Sequence, residues 1–312
     1  MCCVVLVAIL FYGALALWVD AEELGEAWRL FPMDRAPWVI ALVVLGLLLR
    51  ALRWQYYTRA LGLDLPWGAN FVAFVASFTF TASPGKVGEI LKSVLLRRRY
   101  GTAMTSTVGI LVAERTTDLL AILLISALGL GRLGAWKWTF GLVVAILVAV
   151  YIVLSNRRLY LPLMTGLGRV PGLGRLAKPL GDLLESSRDL FRARHLGIGT
   201  ILALVAWSCE ALALFFVLEP LAPAIRIPDA FFAFGASSLM GVVSMLPGGI
   251  GGFEGAMLVI LQGMHVGRPE ALAATLLIRL GTLWLVSVLG LIFLGVWFLI
   301  FAREDRANTL AS

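Results

Sequence analysis

Charge is scarce in this chain: only 14% of its 312 residues are Asp, Glu, Lys or Arg, against roughly 25% in an ordinary soluble domain. Cysteine and histidine are scarcer still. Cys2, Cys3 and Cys209 form no C-x-x-C pair, and His195 and His265 lie far apart. Neither a disulfide framework nor a zinc site is expected, nor any other metal or cofactor. Apolar side chains fill the gap, at 60% of the sequence and a mean hydropathy of +0.93. One soluble core of this length cannot hide that much apolar surface, so the solvent for most of it is lipid. The net charge of +7 does not point to nucleic acid, because the basic residues lie between apolar runs, where membrane topology puts them.

A helix needs about 20 apolar residues to cross the hydrocarbon. Six segments qualify or come close: 2–19, 37–52, 107–130, 138–155, 195–219 and 271–301. Residues 2–19 carry a cleavage-like Ala14-Leu15-Ala16, but no Lys or Arg precedes the apolar stretch, so this reads as a span and not a signal peptide. Two further apolar stretches, 70–97 and 230–264, are interrupted by Pro and Gly, at Ser83-Pro84-Gly85-Lys86-Val87-Gly88-Glu89 and at Leu246-Pro247-Gly248-Gly249-Ile250-Gly251-Gly252-Phe253-Glu254. Proline removes a backbone donor and glycine admits turns, so each stretch reads as two half-helices in a re-entrant hairpin. This topology puts eighteen of the 26 basic residues on the cytoplasmic side, Arg50 and Arg53 among them. Six lie outside, and Arg115 and Arg279 fall within spans. Both termini are then cytoplasmic, in the inner (plasma) membrane.

The two broken stretches repeat one another. Phe71–Ser77 matches Phe231–Ser237 at five of seven positions. At a slowly growing offset Pro84-Gly85 falls on Pro247-Gly248, Glu89 on Glu254 and Arg115 on Arg279. Three crossings separate the hairpins, an odd number, so the second copy is inverted. The expected fold is an all-α polytopic membrane protein, a single integral domain over 1–312. It holds about six full spans and two re-entrant broken-helix hairpins. The first repeat half is 70–130, a cytoplasmic basic loop occupies 156–194 with a candidate interfacial helix at 176–192, and the inverted half is 230–301. Inverted repeats with discontinuous helices are a transporter architecture.

An ionisable side chain at bilayer depth costs at least about 2.5–3.5 kcal/mol, so it is paired or lines a polar cavity. Lys86, Glu89 and Lys92 are three residues apart and can pair along one helix. Glu114 and Asp118 share a face, with Arg115 able to reach a carboxylate on another helix. Glu210, Glu254 and Arg279 complete the set, and Arg279 takes one of these carboxylates. The expected ligand-binding residues are Lys86, Glu89, Lys92, Glu114, Arg115, Asp118, Glu254 and Arg279. Pro84, Gly85, Gly88, Pro247, Gly248, Gly249, Gly251 and Gly252 form the backbone hinges. Freed N–H groups at a half-helix N-terminus suit a phosphate.

The motifs Pro84-Gly85-Lys86-Val87-Gly88-Glu89 with Lys92, Glu114-Arg115-x-x-Asp118, and Leu246-Pro247-Gly248-Gly249-Ile250-Gly251-x-x-Glu254 with the later Arg279 resemble the lysylphosphatidylglycerol synthetase transmembrane-domain family, also called the flippase-like domain family. The resemblance covers nearly the whole chain. It implies a membrane domain that moves, or helps to move, modified lipids between leaflets. After residue 301 only a short tail remains and no soluble aminoacyl-transferase domain is expected, so lysyl transfer is not carried over.

The leading expectation is a lipid flippase or translocase, more transporter than enzyme, whose partner is a membrane lipid with an anionic or phosphate-bearing headgroup. Competing readings are an accessory subunit that scaffolds a lipid-modifying or glycolipid enzyme, a proton-coupled small-solute transporter, and a membrane-embedded transferase. The transferase has only Glu114 and Asp118 as a tight acid pair to recommend it.

Overall fold

The computed structural model describes residues 31–81, 87–128, 188–244 and 246–311, with isolated positions between 25 and 166, and gives backbone alone for Val87 and beyond Phe301. Among the described residues the chain is helical and has no strand. A 3-10 turn, Met33–Arg35, leads into α1, Ala36–Ala60; α2 is Trp67–Ala76 and tightens into the 3-10 turn Ser77–Phe80. Next come α3, Val87–Tyr100, and α4, Met104–Ala127. After Arg188–Phe191, a 3-10 turn, come α5, Ala193–Leu221; α6, Ile227–Val243; α7, Gly252–Gly263; and α8, Arg268–Arg279. A π-helical segment, Leu280–Leu285, joins α8 to α9, Val286–Ala311.

Three stretches among the described residues are long and apolar enough to span a bilayer: Met33–Ala60, Ala193–Leu221 and Arg268–Phe301. They contain the expected spans 37–52, 195–219 and 271–301. The expected span 107–130 overlaps α4, whose 24 residues carry Glu114, Arg115 and Asp118, and its last two positions lie outside the described residues. The expected spans 2–19 and 138–155, and the loop 156–194 up to Arg188, lie outside the described residues apart from isolated positions. Proline sets several helix starts, at Pro37 in α1, Pro228 in α6 and Pro269 in α8, because the first turn does not need its missing N–H.

The centre of the fold is the packing of α1 along α5. Arg35, just before α1, pairs with Glu219 near the end of α5, and Tyr56 near the end of α1 meets His195 near the start of α5 at 2.7 Å. The two helices therefore run antiparallel. Where they cross, Gly46 lies so close to α5 that a Cβ on it would be 3.1 Å from the Ala206 carbonyl oxygen. The corner between α1 and α2 is pinned by Asn70. Fully buried, it accepts from Trp54 Nε1 at 2.7 Å and donates to Gln55 Oε1 and to Thr58 Oγ1 at 3.1 Å. A buried amide with its partners supplied in this way specifies geometry at little cost.

The short helices α2 and α6 pack reciprocally, α2 and its 3-10 turn against α9, and α6 against α4. Each contact closes on a glycine. A Cβ on Gly290 would be 2.7 Å from the Phe78 carbonyl carbon, and one on Gly235 would be 3.0 Å from Ile125 Cγ1. Ser126 stands at the second contact, at the same offset from Gly290 as Arg115 from Arg279.

Candidate functional site

The break between α6 and α7 is fully described apart from Met245. Pro247–Gly249 forms a 3-10 turn, and Gly248, Gly249 and Gly251 have φ of 62°, 68° and 92°. Three left-handed residues in four positions require glycine, since a Cβ there meets its own backbone. Glu254, the third residue of α7, turns back and accepts from the Gly251 N–H at 2.7 Å, capping the helix. Its other oxygen accepts from Arg279 Nε at 2.7 Å, and Arg279 Nη2 donates to the Gly248 carbonyl at 2.9 Å. Arg279 thus takes Glu254 as its partner and staples the broken loop to α8. This half-helix N-terminus, a candidate for phosphate on sequence, holds the chain's own carboxylate.

The first hairpin has the same limbs, α2 with its 3-10 turn and α3. Its expected break, with Pro84, Gly85 and Lys86, falls at residues 82–86, outside the described residues. Gly88 lets the limbs meet: a Cβ there would fall on the Ser77 carbonyl and lie 3.0 Å from the Phe80 carbonyl carbon. In the second hairpin a Cβ on Gly252 would be 3.0 Å from the Met240 carbonyl oxygen. Arg115 reaches Glu89 at 3.5 Å. The sequence match sets Glu89 on Glu254 and Arg115 on Arg279, and each of these Glu–Arg couples is in contact in the structure.

Around this frame lies a cavity of about 200 Å³ lined by both hairpins. Arg50 and Arg53 enter from α1, Glu89 and Lys92 from α3, and Glu114, Arg115 and Asp118 from α4. Trp207 and Glu210 come from α5, Ser238 from α6, Gly248 and Gly249 from the loop, and Arg279 from α8. Glu254 supports Arg279 from behind and is fully buried. The ionic groups are wired together. Arg53 donates to Asp118 Oδ1 at 2.8 Å and Thr117 Oγ1 at 3.0 Å, with Glu114 at 4.0 Å. Lys92 donates to Glu114 at 2.6 Å, Arg115 meets Asp118 at 2.9 Å, and Arg50 pairs with Glu210 at 2.5 Å. Trp207 Nε1 donates to Asp118 at 3.0 Å while Arg50 stacks over its ring at 4.7 Å, joining the two ionic groups. Arg53 Nε and Arg115 Nε have no hydrogen-bond partner in the structure.

Two sequence expectations change. Glu89 and Lys92 do not pair along α3. Lys92 is buried and turned toward α4, its ammonium 3.7 Å from the Trp54 ring centre and 4.9 Å from that of Phe74, so both of these α3 charges find partners on α4. Arg50 and Arg53 are not flanking surface charges: Arg53 is 1% exposed and both line the cavity. The signal was present, since Arg50, Arg53 and Trp54 lie on one helical face, but position at the end of an apolar run made them look like topology markers. Trp207 and Glu210, three residues apart inside the apolar 195–219, are the other members sequence reasoning left out of the site.

The family model of the lysylphosphatidylglycerol synthase TM region matches residues 5–290. The chain belongs to this family. Two UPF0104 membrane proteins of Methanothermobacter thermautotrophicus are similar along nearly their whole length: one is 26% identical over 92% of this chain and 90% of its own, the other 21% identical over 92% of each. A UPF0104 membrane protein of Methanocaldococcus jannaschii is 23% identical over 67% of this chain and 89% of its own. Membership in the lysylphosphatidylglycerol synthase TM-region family, with the long apolar helices, makes this an integral membrane protein, as its composition requires.

Proposed function

We propose that this chain is a carrier for a lipid, built as an inverted repeat, that holds a phosphate-bearing or other anionic headgroup between its two broken hairpins and passes it between leaflets. The observation that carries this reading is the recurrence of one ion pair, Glu89–Arg115 and Glu254–Arg279, with a Glu–Arg pair tying each hairpin to the helix that follows it, around one shared cavity. The antiparallel run of α1 and α5 supports the inversion, since each precedes a hairpin and the two meet at Gly46 and Ala206, which the repeat's offset makes equivalent. Both hairpins are read as re-entrant, with both termini cytoplasmic in the plasma membrane.

Cavity size and surroundings support a lipid. About 200 Å³ lies below the roughly 300–1,000 Å³ of pockets that enclose whole small molecules, so acyl chains stay outside. Val242 lines the cavity and is 38% exposed, and Met240, Val243 and Leu246 beside it are exposed as well. The cavity thus borders an apolar outer surface on which chains can lie. Inside, Arg53, Arg115 and Lys92 offer charge-assisted donors to a headgroup oxyanion.

Mass spectrometry of lipids retained by the gently purified protein tests this directly. One lipid class should be enriched over the bulk membrane and lost in Arg115→Ala and Arg279→Ala. Bulk-like lipid in all three would sink the carrier reading and favour a scaffold or a carrier of small solutes.

A further inference from the structure

The two equivalent ion pairs are in different conditions. Glu254–Arg279 is closed, at 2.7 Å with side chains 0% and 8% exposed, and the loop is tied to it through the Gly248 carbonyl. Glu89–Arg115 is looser, at 3.5 Å with side chains 25% and 41% exposed. Their surroundings differ too. Three residues after Arg115 stands Asp118, which holds the same guanidinium at 2.9 Å. Three residues after Arg279 stands Thr282, whose hydroxyl donates to the Ile278 carbonyl at 2.9 Å. Arg115 can leave Glu89 and keep a carboxylate; among the described residues Arg279 has Glu254 alone.

We propose that Arg279 is a ligand contact for an oxyanion, engaged when the second hairpin separates from α8, the anionic group of the ligand then taking the place of Glu254. The proposal rests on the two-half carrier reading above. A buried guanidinium stripped of its carboxylate is strongly unfavourable, so the second hairpin opens only with an anion present to receive Arg279. The chemistry fits, because Arg279 uses Nε and Nη2 toward two oxygens, those of Glu254 and Gly248, and a phosphate or carboxylate presents two oxygens to the same planar fork. Arg115 has no such requirement, since Asp118 is already in place. Parting Glu89 from Arg115 thereby leaves that guanidinium paired, and parting Glu254 from Arg279 is conditional on cargo.

A reporter cysteine at Ser238, now 7% exposed and lining the cavity from α6, reads the second opening. It is introduced with Cys2→Ser, Cys3→Ser and Cys209→Ala, and the full chain is reconstituted in vesicles and exposed to a membrane-impermeant maleimide. In phosphatidylcholine alone labelling should be slow, and several-fold faster once phosphatidylglycerol is included. Thr282→Asp gives Arg279 the spare carboxylate that Arg115 has, and should label fast in both vesicles, while Thr282→Asn should behave as the parent. Equal labelling of Thr282→Asp and Thr282→Asn in neutral vesicles overturns the proposal, as does a parent indifferent to anions. Inorganic phosphate added to neutral vesicles separates the sources. Acceleration by phosphate but not by anionic lipid would keep the role of Arg279 and remove the lipid from the function; indifference to both, beside a lipid class enriched on purification, would do the reverse.

Discussion

Arg53→Met should cost far more stability than Arg115→Met, although both remove a guanidinium from Asp118. Arg53 is 1% exposed and serves Asp118, Thr117 and, at longer range, Glu114. Removing one partner of a buried pair costs about 3–5 kcal/mol, because the other charge stays behind without compensation. Asp118 keeps Arg115 and the Trp207 N–H, so the loss falls at the lower end, about 3 kcal/mol. At roughly 2–4 °C per kcal/mol for a chain of this order of size, the melting temperature in detergent drops by roughly 6–12 °C. The Arg115 side chain is 41% exposed, on the cavity it lines, and Asp118 keeps Arg53 and the Trp207 N–H when it is lost, so Arg115→Met shifts melting by less than Arg53→Met. Cys209 supplies the assay: 8% exposed, it becomes reactive to a fluorogenic thiol dye on unfolding once Cys2 and Cys3 are replaced by Ser. Equal shifts for the two variants would refute the assignment of Arg53 as the buried anchor of the network.

Two further outcomes concern the limbs of the second break and the central ion pair. Gly252→Val should cost about 1–3 kcal/mol or more, the range for overpacking, because even its Cβ would press on Ser244 and the Met240 carbonyl; a melting curve like that of the parent would show that the hairpin limbs are not in close contact. Exchanging the central pair, Arg50→Glu with Glu210→Arg, should recover most of the stability that either single change removes, because each single change sets like charges face to face. Recovery should fall short by about 0.5–2 kcal/mol, since Arg50 stacks on Trp207 and the repeat puts Leu47 where the moved guanidinium would need that ring; a double variant no better than the worse single one would mean that the pair is not a simple contact.

Long-range order was legible where a repeated pattern tied distant segments together. The matches of Glu89 to Glu254 and of Arg115 to Arg279 were visible as spacing, and the structure turns each half's Glu and Arg into a contact. The same spacing could not say that Glu254 also caps α7, because that depends on the left-handed glycines that turn its carboxylate back on Gly251. Lys92 was legible as an unusual charge, but not its partner. Pairing along α3 and pairing across to Glu114 look alike in sequence, and only the Trp54 and Phe74 rings from α1 and α2 fix the ammonium toward α4. Arg50 and Arg53 were hidden for a different reason. A basic residue ending an apolar run obeys the positive-inside pattern whether it faces water or a carboxylate three helices away, and composition cannot tell the two apart.

Among the described residues, the cavity network joins five cations, Arg50, Arg53, Lys92, Arg115 and Arg279, to five carboxylates, Glu89, Glu114, Asp118, Glu210 and Glu254. In the carrier proposed above, an anionic headgroup entering such a set binds by exchange: it takes a cation from a carboxylate, and the displaced carboxylate must find another cation or a proton. The exchange is easiest where a carboxylate is already shared, at Asp118 between Arg53 and Arg115, and hardest at Arg279, which among the described residues has one carboxylate, Glu254. An inverted repeat with identical halves would treat the two directions alike. In the carrier proposed above, Asp118 in one half and Thr282 at the matching position of the other would make the two directions unequal.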